Sequence, residues 1–218
     1  MTAEPGSLAA LVLAAGRGER LRPLTDRTPK PLLPVGDTTL LDAALARVAQ
    51  VLPITSETVA VNAHWLADRI TAHVAGRVHV SVEEPEALGT AGAVGRLVDW
   101  LAGRDVLITN GDVWFDGPVD VRGFVDGWDR TRPRLLVVDD RRRADFDERW
   151  RFAGLSLLPW SVAQTLTAAP SGLYEVVWSR MPVELVPTAA GYVDCGTPED
   201  LDRARGLARR SEHEDRDA

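Results

Sequence analysis

An uninterrupted apolar run near the start of the chain, LAALVLAA at Leu8–Ala15, constrains the fold more than any other segment. A short apolar run that is followed directly by glycine is typical of a strand buried on both faces, as in parallel sheets covered by helices. Segments with strand and helix spacing then alternate along the chain, with a second buried strand at Asp105–Asn110. We therefore predict an α/β fold with a Rossmann-like, mostly parallel mixed sheet flanked by helices.

The length and the charge pattern indicate how the chain is organised. Its 218 residues suit one large domain, and no linker or internal repeat interrupts them. We predict a single domain over 1–209, with two halves over about 8–115 and 116–205, and a charged flexible tail over 210–218.

Composition excludes several classes of protein and of site. The net charge of −7 argues against a duplex-binding protein, because nucleic-acid binding relies on clustered cations. No apolar run reaches the roughly 18 residues of a membrane span, and the start of the chain does not resemble a signal peptide. Cys195 is the only cysteine, which excludes an internal disulfide. We expect a cytoplasmic protein without nucleic-acid or membrane partners, and the sequence gives no signal for an oligomeric state.

A cationic, proline-rich segment follows the first strand. Arg17–Gly36 reads RGERLRPLTDRTPKPLLPVG and contains four arginines, four prolines and Lys30, the only lysine in the chain. Open α/β sheets bind ligands at the carboxyl ends of their strands, and Gly16 and Gly18 allow backbone N–H groups to approach an anion. The residues alone leave two readings open, which are a phosphate-binding lid carrying Arg20 and Lys30, and a solvated basic loop.

Two familiar phosphate motifs do not fit this segment. A Walker loop ends in Gly-Lys-Ser/Thr, which is absent here. A dinucleotide fingerprint requires a third glycine where this chain has Leu21. The prolines also prevent a long helix directly after the glycines.

Two aspartates are candidates for a metal site. Asp112 follows the buried strand in an Asn-Gly-Asp turn, and Asp194 ends the strand GYV at Gly191–Val193. Carboxylates at the carboxyl edge of a sheet suit Mg²⁺, which prefers hard oxygen ligands. The alternatives are an ordinary turn for Asp112 and a helix cap for Asp194, although Thr197 suits that cap better.

The string LAAGRGERLRPLTDRTPKPLLPVG resembles the signature of sugar-1-phosphate nucleotidyltransferases, Gly-x-Gly-x-Arg-Leu-x-Pro-Leu-Thr followed by Pro-Lys-Pro. The resemblance implies the nucleotide-diphospho-sugar transferase fold, with the first half of the domain binding the nucleotide and the second half the sugar. It also implies that Arg20 stabilises the leaving pyrophosphate and that Lys30 contacts the phosphates. The implied nucleotide-binding residues are Leu13, Ala14, Ala15, Gly16 and Gly18, and the glycine loop among them binds the phosphates.

The resemblance extends to the two aspartates and to the base site. It implies that Asp112 and Asp194 hold a catalytic Mg²⁺, and that Asp112 is thereby a catalytic residue. The segment EEPEALGTAG resembles the family's base-reading segment and implies that Glu84, Leu88, Gly89 and Thr90 contact the nucleotide. A carboxylate accepts hydrogen bonds only, so Glu84 could bind guanine through two N–H groups or uracil through one.

The sugar site is less completely indicated. The resemblance places the sugar near Asn110 and Gly154. The Glu-Lys-Pro motif, with which larger relatives bind the sugar phosphate, is replaced by VDDR at 138–141. Arg141–Arg143 or Arg151 could supply that cation, and a solvated charge run is the alternative.

Several spellings most closely resemble the short bacterial N-acetylmuramate-1-phosphate uridylyltransferases, among them NGDVWFD and FAGLSLLP. We therefore expect no C-terminal β-helix. The resemblance implies transfer of a nucleotidyl group from a nucleoside triphosphate, UTP by this likeness, to a sugar-1-phosphate such as N-acetylmuramate-1-phosphate. Open alternatives are GTP with a mannose- or heptose-1-phosphate, CTP with a phosphorylated alcohol, and a non-catalytic nucleotide-sugar sensor.

Overall fold

A seven-stranded mixed sheet forms the centre of the protein in a computed structural model that describes residues 7–217 and the side chains of residues 7–210. The strands are β1 Leu8–Leu13, β2 Pro34–Val35, β3 Thr38–Thr39, β4 Val59–Ala63, β5 His79–Val82, β6 Asp105–Asn110, β7 Val113–Asp116, β8 Arg134–Asp139, β9 Trp150–Leu158, β10 Glu184–Pro187 and β11 Gly191–Asp194. The helices are α1 Leu40–Val48, α2 Ala67–Val74, α3 Gly89–Arg96, α4 Val98–Leu101, α5 Val121–Asp126, α6 Trp160–Ala163 and α7 Pro198–Asp217.

The strand order of the large sheet is β10-β8-β9-β6-β1-β4-β5. Strand β1 pairs in parallel with β4 and β6, whereas β9 runs antiparallel to both of its neighbours, β6 and β8. Successive residues of β1 enter two different apolar clusters, Ala10 and Val12 on one face and Ala9 and Leu11 on the other. The predicted mostly parallel mixed sheet, with a first strand buried on both faces, is therefore confirmed.

A separate two-stranded sheet pairs β7 with β11 in the antiparallel direction. The sequence predicts β11 but not β7, because the Asn-Gly-Asp turn before β7 disguises the start of a strand. This small sheet joins the middle of the chain to its last third, and the residues at its end are those that the sequence proposes as metal ligands.

Helix α7 begins as the sequence predicts. The Thr197 side chain accepts a hydrogen bond from the Asp200 N–H at 3.2 Å, which caps the helix that starts at Pro198. The helical backbone continues to Asp217, into the segment predicted to be a tail. The flexibility of that segment and the single domain over 1–209 remain predictions.

Other boundaries differ from the sequence pattern. The helical spacing over Ala91–Ala102 corresponds to two helices, α3 and α4, that meet at Leu97.

None of the helices in the described part of the chain has the length and apolar character needed to cross a membrane.

Candidate active site

A cavity of about 240 Å³ opens at the carboxyl ends of β1, β4 and β6. The parallel register places Asn62 and Asn110 on either side of Leu13, so three strand ends meet at one level. The cavity is lined by Leu13, Ala15, Gly16, Asn62, Ala87, Gly89, Thr90, Asn110 and Asp112. It thus brings together five of the predicted nucleotide-binding residues with one predicted sugar-binding residue and one predicted metal ligand.

The loop after β1 presents free backbone donors. No described residue accepts a hydrogen bond from the N–H groups of residues 15–18. Gly18 has φ +60, and a Cβ atom there would lie 2.9 Å from Thr25 Cγ2 and 3.1 Å from Lys30 Cβ. Thr25 Oγ1 donates to the Gly18 carbonyl at 2.8 Å, which folds the loop back on itself. Consecutive free N–H groups beside glycine form a concave anion site.

Lys30 is buried at the centre of the site, with 7% of its surface exposed. Its Nζ lies 2.6 Å from Asp112 Oδ2 and 3.9 Å from Asp194 Oδ1. The lone lysine of the chain therefore reaches from the cationic loop to both predicted metal ligands. The two carboxylates converge on one cationic group, which is the arrangement that a shared metal ion also requires.

The small sheet explains why these aspartates meet. Asp112 directly precedes β7 and Asp194 ends β11, and the Cys195 N–H donates to the Asp112 carbonyl at 3.1 Å. Gly196 leaves space for a second cation, since a Cβ atom on it would lie 2.7 Å from Arg20 Nη2. Asp194 Oδ1 would lie 3.2 Å from the same Cβ atom, so the exposed Arg20 approaches the backbone next to Asp194.

The donor set fits Mg²⁺. Two carboxylates face one point, and no group of three or more His, Cys, Asp or Glu side chains that could hold a metal occurs among the described residues. Mg²⁺ in phosphoryl-transfer sites commonly takes one or two carboxylates and obtains its remaining ligands from substrate phosphates and water. Asp112 and Asp194 are the residues that would hold it.

Sequence reasoning missed a buried network behind the cavity. The Ala14 N–H donates to Asn62 Oδ1 at 2.7 Å, and Asn62 Nδ2 donates to Glu83 Oε1 at 2.8 Å. Glu83 Oε2 accepts from the Leu88 N–H at 2.7 Å, and Glu83 is 0% exposed. A polar residue at the carboxyl end of an apolar strand, as Asn62 is in VAVNA, was the available signal.

The predicted base-reading residues divide into two groups. Gly89 and Thr90 line the cavity, whereas Glu84 is exposed and lies outside its lining. Both backbone groups of Leu88 are engaged within the protein, the N–H by Glu83 and the carbonyl by the Ser171 N–H at 2.9 Å. Leu88 therefore positions the segment from within.

The predicted sugar-binding residues lie side by side. Gly154 has φ +79, and a Cβ atom on it would lie 3.3 Å from Asn110 Cβ. Gly154 also sits in a bulge of β9, because Ser156 pairs with Leu135 while Phe152 pairs with Val137. Bulges next to active sites commonly re-aim the strand that carries them.

Arg47 lies behind the Asn-Gly-Asp turn and was also missed. It is buried, and its Nη2 lies 3.5 Å from the carbonyl oxygens of Asn110 and Val113, which flank Asp112. Burial lowers the pKa of Arg47 to about 10, against an opposing effect of Asp112. The guanidinium remains charged at neutral pH and supports the turn through the carbonyl groups on either side of Asp112.

Cys195 has the environment of a small apolar residue. It is fully buried in the cluster that contains Leu21 and Leu201. Burial raises the pKa of its thiol to about 12. Cys195 therefore acts as a small buried hydrophobe, and its thiol is poorly suited to be a nucleophile.

Comparison with known proteins agrees with this geometry. The family model described as nucleotidyl transferase matches residues 9–132, more than half of the chain. An N-acetylmuramate alpha-1-phosphate uridylyltransferase of Neisseria meningitidis is 38% identical over 113 residues, which cover 49% of this chain and 48% of that protein. The Caulobacter vibrioides enzyme of the same name is 35% identical over 139 residues, covering 59% and 56%.

The chain thus spans about half the length of the curated relatives it matches. Among solved structures, HddC from Yersinia pseudotuberculosis superposes with a TM-score of 0.75 at 19% identity, covering 91% of this chain and 98% of that one. This likeness establishes the fold. The family match over more than half of the chain shows that the chain belongs to the nucleotidyl transferase family.

Proposed function

We propose that this protein transfers a nucleotidyl group from a nucleoside triphosphate to a sugar-1-phosphate and releases pyrophosphate. The observation that carries the proposal is the convergence of Asp112 and Asp194 on Lys30, next to free N–H groups at the end of β1. Such a site offers carboxylates for a divalent ion, together with a cation and backbone donors for phosphates. The family match supports the same chemistry.

The residues have distinct roles in the proposed reaction. The free N–H groups of residues 15–18 bind the triphosphate, and Lys30 and Arg20 stabilise the charge that accumulates on the leaving pyrophosphate. When bound by Asp112 and Asp194, Mg²⁺ supplies charge neutralisation on the phosphates of both substrates. Thr90 and Gly89 border the cavity where the nucleoside lies.

Bond changes are simple in this reaction. An oxygen of the sugar phosphate forms a bond to the α-phosphorus, and the bond from that phosphorus to the bridging oxygen breaks, so the electron pair leaves with pyrophosphate. A phosphate dianion is already nucleophilic, and the protein therefore needs to position and to neutralise charge rather than to remove a proton.

UTP and N-acetylmuramate-1-phosphate are the substrates that we propose first, since both relatives described above are uridylyltransferases. GTP with a mannose- or heptose-1-phosphate is the second candidate. It is favoured by the exposed Glu84, whose carboxylate accepts no hydrogen bond from a described residue and could pair with two N–H groups of guanine.

The test is pyrophosphate release with Mg²⁺ across the four nucleoside triphosphates and several sugar-1-phosphates. We expect one productive pair, and we expect Asp112→Asn to lower its kcat roughly a hundred- to a thousandfold, because transition-state charge loses its stabilisation. Asp116→Asn, at the other end of β7, is the matched control and should retain wild-type turnover.

The proposal fails if no combination of substrates turns over while the protein still binds nucleotides, a result that would favour a nucleotide-sugar sensor. It also fails if Asp112→Asn and Asp116→Asn are equally active. Circular dichroism of both variants excludes misfolding as the cause of a loss.

A further inference from the structure

A second and larger cavity, of about 550 Å³, adjoins the site on the Asp194 side. It forms where the ends of β8, β10 and β11 meet the start of β9 and the first turns of α7. The 240 Å³ cavity contains Asp112 and this one contains Asp194. The carboxylate pair therefore stands between two separate cavities, one on the nucleotide side and one without an assigned ligand.

The second cavity is lined by four aspartates and four arginines, and three of these arginines have no carboxylate partner among the described residues. Arg142, Arg143 and Arg203 line it, and none of them forms an ion pair with a carboxylate in the described part of the chain. Of the lining carboxylates, Asp139 is paired with Arg149 at 2.9 Å, and Asp200 accepts from Thr197 Oγ1 at 2.9 Å. Unpaired guanidinium groups around a polar cavity favour an anionic ligand, and arginine suits phosphate in particular.

Arg151 differs from these three arginines because it is ordered by several contacts. Its side chain is 17% exposed, and its Nη2 lies 3.2 Å from Asp194 Oδ2. Its Nη1 lies 3.6 Å from Asp140 Oδ2, and its guanidinium lies 5.1 Å from the Tyr192 ring centre. The planar group is therefore held at the boundary between the second cavity and the metal-binding carboxylate.

We propose that Arg151 binds the phosphate of the sugar-1-phosphate, with Arg142, Arg143 and Arg203 lining the approach. The inference rests on the proposed function and names the cation that the missing Glu-Lys-Pro motif leaves unassigned. A phosphate that shares an ion with Asp194 must lie next to that carboxylate. Lys30 contacts Asp194 from the loop after β1, and Arg151 contacts it from the side of the second cavity.

The position along β9 agrees with this assignment. Arg151 lies three residues before Gly154, a separation of roughly 10 Å in an extended strand and less across a bulge. A sugar ring beside Gly154 and Asn110 would thus place its 1-phosphate within reach of the guanidinium. Asp140 also accepts from the backbone N–H groups of Arg142 and Arg143 at 3.2 Å, so its carboxylate keeps hydrogen-bond donors when Arg151 binds a phosphate.

The test compares Arg151→Gln and Arg151→Lys with the control Arg149→Gln. Arg149 lies directly before β9, and its side chain is paired with Asp139. For Arg151→Gln we expect the KM for the sugar-1-phosphate to rise roughly ten- to hundredfold, with the KM for the nucleotide within about twofold of wild type. Arg151→Lys should give a KM for the sugar-1-phosphate between those of the wild type and Arg151→Gln, because lysine retains the charge but not the planar guanidinium. Arg149→Gln should match wild type, and thermal melts show whether each variant folds.

A positioning role through Asp194 predicts a different result. If Arg151 only orients that carboxylate, Arg151→Gln will change the Mg²⁺ concentration for half-maximal rate and leave the KM for the sugar-1-phosphate unchanged. That outcome would overturn the inference while leaving the proposed function intact.

Calorimetric titration with inorganic phosphate and Mg²⁺ separates this inference from the proposed function. Phosphate binding that is lost in Arg151→Gln and retained in Arg149→Gln supports the site even if no sugar-1-phosphate is a substrate. Equal binding by both variants, or no binding by the wild type, contradicts it.

Discussion

A single buried carboxylate connects the elements that surround the nucleotide cavity. Glu83 accepts hydrogen bonds from Asn62 on β4 and from Leu88 at the start of α3, and Asn62 in turn holds the Ala14 N–H after β1. A buried carboxylate is stable only when its acceptors are filled, and both Glu83 oxygens have donors. The shape of the nucleotide cavity therefore depends on a residue that does not line it.

We expect Glu83→Gln to lower the free energy of unfolding by about 1–3 kcal/mol, because the new amide donor faces one of two existing donors. The KM for the nucleoside triphosphate should rise with it, since the segment after Leu88 loses its anchor. Thermal unfolding and steady-state kinetics measure the two effects.

Glu84→Gln is the matched control for that experiment, since Glu84 is the exposed neighbour. Its stability should remain within about 0.5 kcal/mol of wild type. A change in nucleotide KM without a change in stability would support the prediction that Glu84 reads the base. Equal destabilisation by both substitutions would contradict the role given to Glu83.

Residues of this kind set a limit on what the sequence could reveal. Lys30, Asp112 and Asp194 could be predicted because they stand in local motifs with recognisable spelling. Glu83 and Arg47 could not, because their roles come from partners tens of residues away, such as the Asn110 carbonyl near Arg47.

At the scale of elements, a stripe of glycines joins α3 to the segment 167–172. Gly89, Gly92 and Gly95 lie on one face of the helix, and Cβ atoms on the first two would lie 2.6 Å from the Ser171 carbonyl oxygen and 2.5 Å from the Ala169 carbonyl oxygen. A Cβ atom on Gly95 would collide with the Thr167 backbone. The glycines of the segment LGTAGAVG thus allow the irregular segment 167–172 to cross the helix in direct backbone contact.

We expect Gly95→Ala to destabilise the protein by about 1–3 kcal/mol, because the methyl group meets backbone that cannot rotate away. Gly206→Ala is the control within a helix, since the nearest atom to its Cβ would be Arg209 Nη2 at 4.0 Å. That substitution should stabilise the protein by about 0.5–1 kcal/mol, the usual gain of alanine over glycine. Urea unfolding of both variants measures the difference, and a change of the same sign in both would contradict the packing argument.

Strands and helices could be predicted where their own residues carry a clear hydrophobic pattern, as in the apolar runs of β1 and β6. Strand partners were not predictable in the same way. The antiparallel pairing of β7 with β11 follows from contacts across almost 80 residues, and alternation along either strand does not identify its partner.

For the whole molecule, the site is assembled from distant parts of the chain. Lys30 comes from the loop after β1, Asp112 from the turn before β7 and Asp194 from the end of β11. A ligand that binds all three ties the first and last parts of the sequence together. Binding should therefore stabilise the molecule as one unit.

We expect a nucleoside triphosphate with Mg²⁺ at about a hundred times its Kd to add about 2.7 kcal/mol of stability. For a chain of this length that corresponds to a rise in Tm of about 5–10 °C. Mg²⁺ alone should have a much smaller effect, because Lys30 and Arg151 already pair with the carboxylates. Scanning calorimetry tests this, with Asp112→Asn as the variant that should lose the increment, and an equally large shift with Mg²⁺ alone would contradict it.

The global arrangement was predictable in outline, since the alternation of strands and helices indicates the sheet and the order of motifs indicates its binding edge. The second cavity was not, because the charge run after β8 has the composition of a solvated loop. In the structure the end of this charge run folds back beside Asp194, where Arg151 contacts the carboxylate.

Lys30 carries the only ε-amine in the sequence, and only 7% of its surface is exposed to solvent. Acylating reagents that label lysine therefore have a single lysine target in this chain, and it lies at the centre of the site. The rate at which Lys30 is labelled therefore reports opening of the cationic loop, and mass spectrometry of the peptide that contains Lys30 separates this label from one on the α-amino group. A ligand that keeps the loop closed would slow the labelling of Lys30. The fraction of protein that has bound this ligand could therefore be followed without an assay of substrate turnover.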